Sequence, residues 1–395
     1  MILSVPDYIQ SLVPYVAGKP IEETRREYKL KRVIKLASNE NPLGPSPKAL
    51  QAIRAALPDL HRYPDASAFH LKTALSRHLQ VDARQLACGN GSDEIIDLLV
   101  RTYCLPGDRI VTQKAAFQAY GLSAQVHGVT TLVAPVDDQY RIDLPAALRM
   151  IREDKRVKMF FLANPNNPTG AYVKDADLRR FLRELRKIRG GSVLAVFDYA
   201  YWEFVTAPDL SDPMELLGGF PNVVILRTFS KIYGLAGSRV GYGIGAPEVI
   251  GSIEKVRKPF NLNTLGMVAA QAALADTAFM KRTLKLNAAG MKLWQASLTD
   301  IGIPYIPSQG NFLLIDTQSG LGKSGVEVYS GCLKRGVIFR PVANYGLHHA
   351  LRVSVGTPEE NRLGLQALRA ELPVALGASR KPLPKPAMLG KKKKK

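Results

Sequence analysis

Long apolar runs are absent from this chain. No stretch approaches the ~18 residues that a membrane span needs, so no transmembrane segment is expected. The opening Met1-Ile2-Leu3-Ser4-Val5-Pro6-Asp7 has neither a basic n-region nor an apolar h-region, so no secretory signal is expected. Cysteine is scarce. Cys88, Cys104 and Cys332 are odd in number, widely spaced and without metal-ligand spacing, which suits reduced, mostly buried thiols in a cytoplasmic protein. Acid is scarce relative to base: 34 Asp and Glu stand against 54 Lys and Arg, a net charge of +20. Eight of those positive charges fall in Gly377 to Lys395, which holds no acid. The tail 376–395 therefore reads as a self-repelling, solvated arm with no specific nucleic-acid partner. The excess left on the body suits anionic ligands without naming one.

What remains is ordinary for a globular protein: 46% hydrophobic and 8% aromatic residues in 395, long enough for two domains. Strand-like runs, Arg109 to Thr112, Thr131 to Val136, Val157 to Ala163, Val193 to Phe197, Val223 to Leu226 and Arg239 to Ile244, alternate with helical ones. Apolar strands separated by helices predict an open α/β sheet of mostly parallel strands in a large domain, residues 46–280. Leu262 to Thr299 reads as one long Ala-rich helical region. Beyond it a smaller α+β domain, 281–375, is expected, joined by the N-terminal segment 1–45. Three motifs fail on inspection. Gly320-Leu321-Gly322-Lys323-Ser324 lacks the first glycine of a P-loop, Gly241 to Ala246 lacks the downstream acid of a dinucleotide fingerprint, and His348-His349 lack the spacing of a helical zinc site.

Ligands of open α/β sheets gather at the carboxyl ends of the strands. Three successive strand ends here are polar: Asn164 to Gly170, Asp198 to Tyr201 and Thr228 to Lys231. Lys231 follows the apolar run Val223 to Leu226 and is preceded by hydroxyls. A lysine near apolar walls forms imines readily, and hydroxyls with an arginine suit a phosphate, so a Schiff-base lysine holding a phosphorylated aldehyde, pyridoxal 5'-phosphate, is the expectation. That chemistry needs an acid to keep the ring nitrogen protonated, and Asp198 at the end of a buried run is the candidate, its ionised form favoured against a cationic ring. Asn167 and Tyr201 can donate to the phenolic oxygen. Ser92, the Asp93 N–H, Thr228, Ser230 and Arg239 can bind the phosphate, although Ser92 also reads as a helix N-cap. Phe117 or Tyr120 can stack on the ring. The polar loop Ala37 to Pro45 either covers a site or is a turn.

Ala163-Asn164-Pro165-Asn166-Asn167-Pro168-Thr169-Gly170, Asp198-Tyr199-Ala200-Tyr201 and Ser230-Lys231 with Arg239-Val240-Gly241-Tyr242 resemble the class II aminotransferases of PLP-dependent transferase fold type I. Ala37 to Pro42, Arg62-Tyr63-Pro64-Asp65 and Leu351 to Thr357 resemble, more closely, the histidinol-phosphate aminotransferases, and the likeness spans about residues 8–372. It implies that Lys231 is the acid/base of the proton shift, with Asp198 on the pyridine nitrogen and Asn167 and Tyr201 on the phenolic oxygen. It implies a homodimer in which Tyr63 reaches the phosphate of the neighbouring subunit's cofactor. Phe117 stands where the family places an aromatic, often Tyr. Arg352, Arg340 and Tyr15 would bind the substrate, and two arginines suit a phosphate dianion. The implied reaction exchanges the amino group of histidinol phosphate with 2-oxoglutarate, in histidine biosynthesis. An aromatic amino-acid aminotransferase, a phosphorylated-amino-acid decarboxylase and a non-catalytic binding protein with a nucleic-acid arm are the rival readings.

Overall fold

Apolar runs bounded by turns build the central sheet. In the computed structural model, which describes residues 4–14 and 18–372, seven strands lie in the order Leu86–Gly89, Gly241–Gly245, Val223–Thr228, Leu194–Asp198, Val157–Ala163, Arg109–Gln113, Thr130–Ala134. Six run parallel, and only Gly241–Gly245 is antiparallel to its neighbours. The three middle strands bury nearly every residue, as a sheet covered on both faces requires. Their side chains alternate with the pleat. Ala195, Phe197, Val223 and Ile225 face one core, under helices Phe69–Leu79, Leu144–Glu153, Asp175–Lys187 and Thr264–Leu274. Leu194, Val196, Val224 and Leu226 face the other, under Ser92–Tyr103, Gln118–Val126 and Pro247–Val256.

A second sheet, Arg340–Pro341, Ala350–Ser354, Phe312–Asp316, Tyr305–Ile306, is antiparallel throughout. Its core holds Trp294, Phe339 and Leu298 together with Ile34 and Leu36 from the N-terminal segment. Ile34–Lys35 pairs in parallel with Val337–Ile338, which draws that segment to the second sheet.

The structure departs from the sequence expectations at two places. The region from Leu262 to Thr299 is two helices, Thr264–Leu274 and Thr277–Asp300. Asp276 breaks it, because its carboxylate caps the Phe279 N–H and accepts from Ser46 Oγ at 2.6 Å. Leu86–Gly89 is a strand that its short run and terminal glycines concealed. The glycines of Gly241 to Gly245 lie inside the strand expected there: a Cβ on Gly241 would sit 2.3 Å from Ser92 N, and one on Gly243 2.9 Å from Ile95 Cγ2. They let helix Ser92–Tyr103 lie against the strand. Among the described residues no helix is long and apolar enough to cross a membrane. Tyr15 and the basic tail lie outside the described residues.

Candidate active site

Parallel strands put their carboxyl ends on one edge, and the three polar strand ends therefore meet. They line a cavity of about 140 Å³ with Ser92, Asp93, Phe117, Asn167, Asp198, Tyr201, Thr228, Ser230, Lys231 and Arg239. A larger cavity, about 610 Å³, lies among Leu144, Leu148, Phe181, Ile306 and Pro307. Its rim charges pair with neighbours, Arg141 with Asp137 at 2.8 Å and Lys174 with Asp209 at 3.3 Å, so volume alone does not mark the chemistry.

At the acidic end Asp198 is 4% exposed. Its Oδ2 accepts from Tyr120 OH at 2.9 Å and its Oδ1 from the Ala200 N–H at 3.0 Å. Burial pushes this carboxyl up to about 6, against the pull of those two bonds. The ionised form expected from the sequence is thus the costly one in the chain by itself, and a cation in the cavity would restore it. Tyr120 is fully buried and stacked on Phe161 at 5.0 Å, so it orients Asp198 and does not cover a ligand ring. Phe117, at the cavity wall, is left for that position.

Lys231 stands between the two ends. Its Nζ lies 5.6 Å from the Tyr201 ring centroid and donates a long bond, 3.5 Å, to Ser38 O. The loop that carries it is shaped by Ser230 N–H on Thr228 Oγ1, 3.1 Å, and by Gly234. Gly234 has φ +70° and passes so close to Gly44 that a Cβ would lie 2.0 Å from its carbonyl oxygen.

At the opposite end the first turn of helix Ser92–Tyr103 presents unpaired N–H groups. Gly91 is its N-cap, so Ser92 is not the cap that the sequence also allowed. Thr228 Oγ1 donates to Ser230 Oγ at 3.0 Å. Arg239, at φ 54°, lies across the helix start with Nη2 3.4 Å from Asp93 Oδ2. A Cβ on Gly91 would meet Arg239 Nη2 at 2.2 Å. Gly241→Ala drives a methyl into Ser92 N and is expected to lower the unfolding free energy by about 1–3 kcal/mol, measured by urea denaturation.

Two arginines lie together on the second sheet, and one of them reaches the cavity residue Asn167. Arg340 and Arg352 are Cα partners on adjacent antiparallel strands, 7% and 6% exposed, so they share one face of the second sheet. Arg352 donates through Nη1 to Asn167 Oδ1 and through Nη2 to Ala37 O, and its Cζ lies 5.5 Å from the Phe312 ring centroid. With its oxygen held by a guanidinium, the Asn167 amide presents its NH₂ as donor. Tyr63 does not line this cavity. It is 84% exposed and stacks on Phe260 at 4.9 Å. The residues that sequence reasoning missed are Asn39, whose Nδ2 donates to Tyr201 OH at 2.9 Å, and Ser354, whose Oγ donates to Asn39 Oδ1 at 2.7 Å. The polarity of the Asn39-Glu40-Asn41 loop was the available signal, and the structure lays that loop over the site.

The arrangement is suited to an anion at the helix start, a cation at Asp198 and a carbonyl at Lys231 between them. The model of the family "Aminotransferase class I and II" matches residues 31–368. The chain is 45% identical to a histidinol-phosphate aminotransferase of Bdellovibrio bacteriovorus, over 93% of this chain and 97% of that protein. It is 46% identical to one of an Anaeromyxobacter species, over 92% and 98%. Among solved structures, the histidinol-phosphate aminotransferase of Sinorhizobium meliloti in complex with pyridoxal-5'-phosphate superposes with a TM-score of 0.83 at 30% identity, covering 94% of this chain and 98% of that one. An aspartate aminotransferase of Thermus thermophilus shares the fold, at TM-score 0.81 and 20% identity. The architecture, a mostly parallel sheet between helices with a smaller antiparallel sheet beside it, is the fold type I transferase fold. The chain belongs to the class I and II aminotransferases and, within them, to the family of histidinol-phosphate aminotransferases.

Proposed function

We propose that this protein is a pyridoxal 5'-phosphate-dependent transaminase that interconverts histidinol phosphate and 2-oxoglutarate with imidazole-acetol phosphate and glutamate, in histidine biosynthesis. The observation that carries the substrate is the cross-strand pair Arg340 and Arg352, both buried and one of them in contact with Asn167 at the cavity. A substrate phosphate beside that pair supplies two charges and several acceptors, which suits two guanidinium forks.

The donor set fits the cofactor. Ser92, the Asp93 N–H, Thr228, Ser230 and Arg239 would hold its phosphate, Asp198 its ring nitrogen, Asn167 and Tyr201 its phenolic oxygen, with Phe117 on its ring. When bound, it supplies an electron sink for charge developing at the substrate's α carbon. Lys231 Nζ takes the α proton and returns it, within reach because its loop is pinned by Thr228 and Gly234. Asp198 keeps its charge opposite a cation through the Tyr120 and Ala200 bonds. Arg352 orients both the substrate acid and the Asn167 amide.

A homodimer with shared sites accompanies this reading. Tyr63 would reach the neighbouring subunit's phosphate, and its support is exposure: Leu57, Leu60, Tyr63, Phe69 and Phe260 are all large, apolar and open to solvent. The division into 46–280 and 281–375 has its support in the separate cores of the two sheets. Three free, buried cysteines support a cytoplasmic setting.

Steady-state kinetics test the substrate. A higher kcat/KM for histidinol phosphate than for phenylalanine is expected, and the reverse order overturns the reading. Arg340→Leu is expected to lower kcat/KM for histidinol phosphate about 100-fold, the worth of one charge-assisted bond of roughly 3 kcal/mol, and to leave phenylalanine within a few-fold.

A further inference from the structure

Every polar group of Asn39 is engaged. The residue is 1% exposed and holds φ 55°, a left-handed conformation that asparagine tolerates better than most residues. Its N–H donates to Ser354 Oγ at 2.9 Å, and its carbonyl accepts from Asn311 Nδ2 at 3.1 Å. Ser354 Oγ, already an acceptor of that N–H, donates its one proton to Asn39 Oδ1 at 2.7 Å. The serine therefore settles which way the amide faces: oxygen toward Ser354, nitrogen toward Tyr201. Asn39 Nδ2 then donates to Tyr201 OH at 2.9 Å. A phenol has one proton, and an oxygen that accepts from an amide directs that proton elsewhere. Tyr201 lines the cavity, and its ring faces Lys231 Nζ at 5.6 Å.

We infer that Asn39 is a positioning residue for the transamination: its amide turns the Tyr201 proton into the cavity and ties that orientation to the strand carrying Arg352. Ser354 stands two residues from Arg352 on Ala350–Ser354, so both side chains lie on one face of that strand. The hydrogen-bonded path from Ser354 through Asn39 to Tyr201 crosses from the second sheet to the first. Without Asn39 the phenol is free to turn away from the cofactor's phenolic oxygen. Asn39→Asp reverses the bond, because a carboxylate only accepts and draws the phenol's proton toward itself.

The inference rests on the cofactor reading above, and its test has a readout besides turnover. The visible absorption of the pyridoxal phosphate-loaded protein, without substrate, is titrated with pH. A donor to the cofactor's phenolic oxygen favours the deprotonated chromophore, so losing it moves the midpoint upward. The ionisable groups around Tyr201 that share in this midpoint are Lys231, Asp198, Asp93, Arg239 and Arg352, and none is altered by the variants; Asn39→Asp adds a carboxylate whose charge raises the midpoint further, so Asn39→Ala carries the test. Asn39→Asp is expected to raise the midpoint by about one pH unit and Asn39→Ala by about half a unit. In a Tyr201→Phe background, Asn39→Ala is expected to add no more than about 0.2 unit, since the two residues act through one bond. Asn39→Ser serves in the same cycle if Asn39→Ala does not fold. Variants whose midpoints stay within about 0.2 unit of the parent overturn the inference, as does a shift of undiminished size without the Tyr201 hydroxyl. A melting-temperature loss with no midpoint shift counts against it too, because it marks a purely structural residue. A parent protein with no titrating visible band rejects the cofactor reading and this inference together, whereas a parent with the band and unshifted variants rejects this inference alone.

Discussion

Lys231→Ala is expected to lower turnover by about four orders of magnitude and to abolish the pH-titrating imine band of the cofactor-loaded protein. A positioned general base contributes about 10²–10⁴-fold, and here the same amine also anchors the cofactor, so the upper end applies. Lys231→Arg does not rescue it, because a guanidinium stays protonated and cannot accept the α proton. The fold survives the change. Lys231 Nζ makes only a long bond to Ser38 O and a contact with the Tyr201 ring, so the melting temperature of the cofactor-free variant is expected within about 2 °C of the parent. Single-turnover kinetics with glutamate check the first part and calorimetry the second. A variant that turns over within tenfold of the parent would falsify Lys231 as the base.

Asp198→Asn is expected to do two opposite things. It lowers turnover by about 10³-fold, the scale on which a buried electrostatic partner acts. It also stabilises the cofactor-free protein at neutral pH. The Asp198 carboxyl is raised from 3.8 to about 6 by burial, so the native chain binds its proton more tightly than the unfolded chain does. Stability of the cofactor-free protein therefore falls as pH rises from about 4 to about 6, and a cost of about 3 kcal/mol is fully present above that window. An amide carries no such charge. Above pH 7 the variant's melting temperature is expected about 4 °C above the parent's, and the difference vanishes below about pH 4. Calorimetry across that range tests the sign: a variant less stable than the cofactor-free parent at pH 8 contradicts it. Loading with the cofactor closes the gap from the parent's side, since only the carboxylate gains an ionic partner.

Much of the site was legible because its parts are short, local and repeated at strand ends. Lys231 follows Val223 to Leu226, Asp198 follows Leu194 to Phe197, and Asn167 follows Val157 to Ala163, and each carries a side chain whose chemistry the others require. Parallel strands deliver consecutive ends to one edge, so reading the strands was nearly enough to assemble the cavity. Tyr120 was not legible in its actual place. It is as aromatic as Phe117 and three residues away, and only the packing of helix Gln118–Val126 on Phe161 turns its hydroxyl onto Asp198. Asn39 reaches Tyr201 across 162 residues and Ser354 across 315, separations at which no spacing rule operates.

The amino-acid sequence by itself determined the parallel sheet, the lysine and acid at its edge, and the presence of a hydroxyl- and glycine-rich turn beside a helix start. These follow from periodicity and from local backbone chemistry, which act within a few residues. Only the tertiary structure decided which way Asp198 titrates in the cofactor-free chain, since burial is a property of everything packed around it. Only the tertiary structure set Arg340 opposite Arg352, since strand register depends on how two distant segments pair. And only the folding of the Ala37 to Pro45 loop over the cavity gave Tyr201 a donor, because a hydrogen bond is made by proximity and direction and not by residue type.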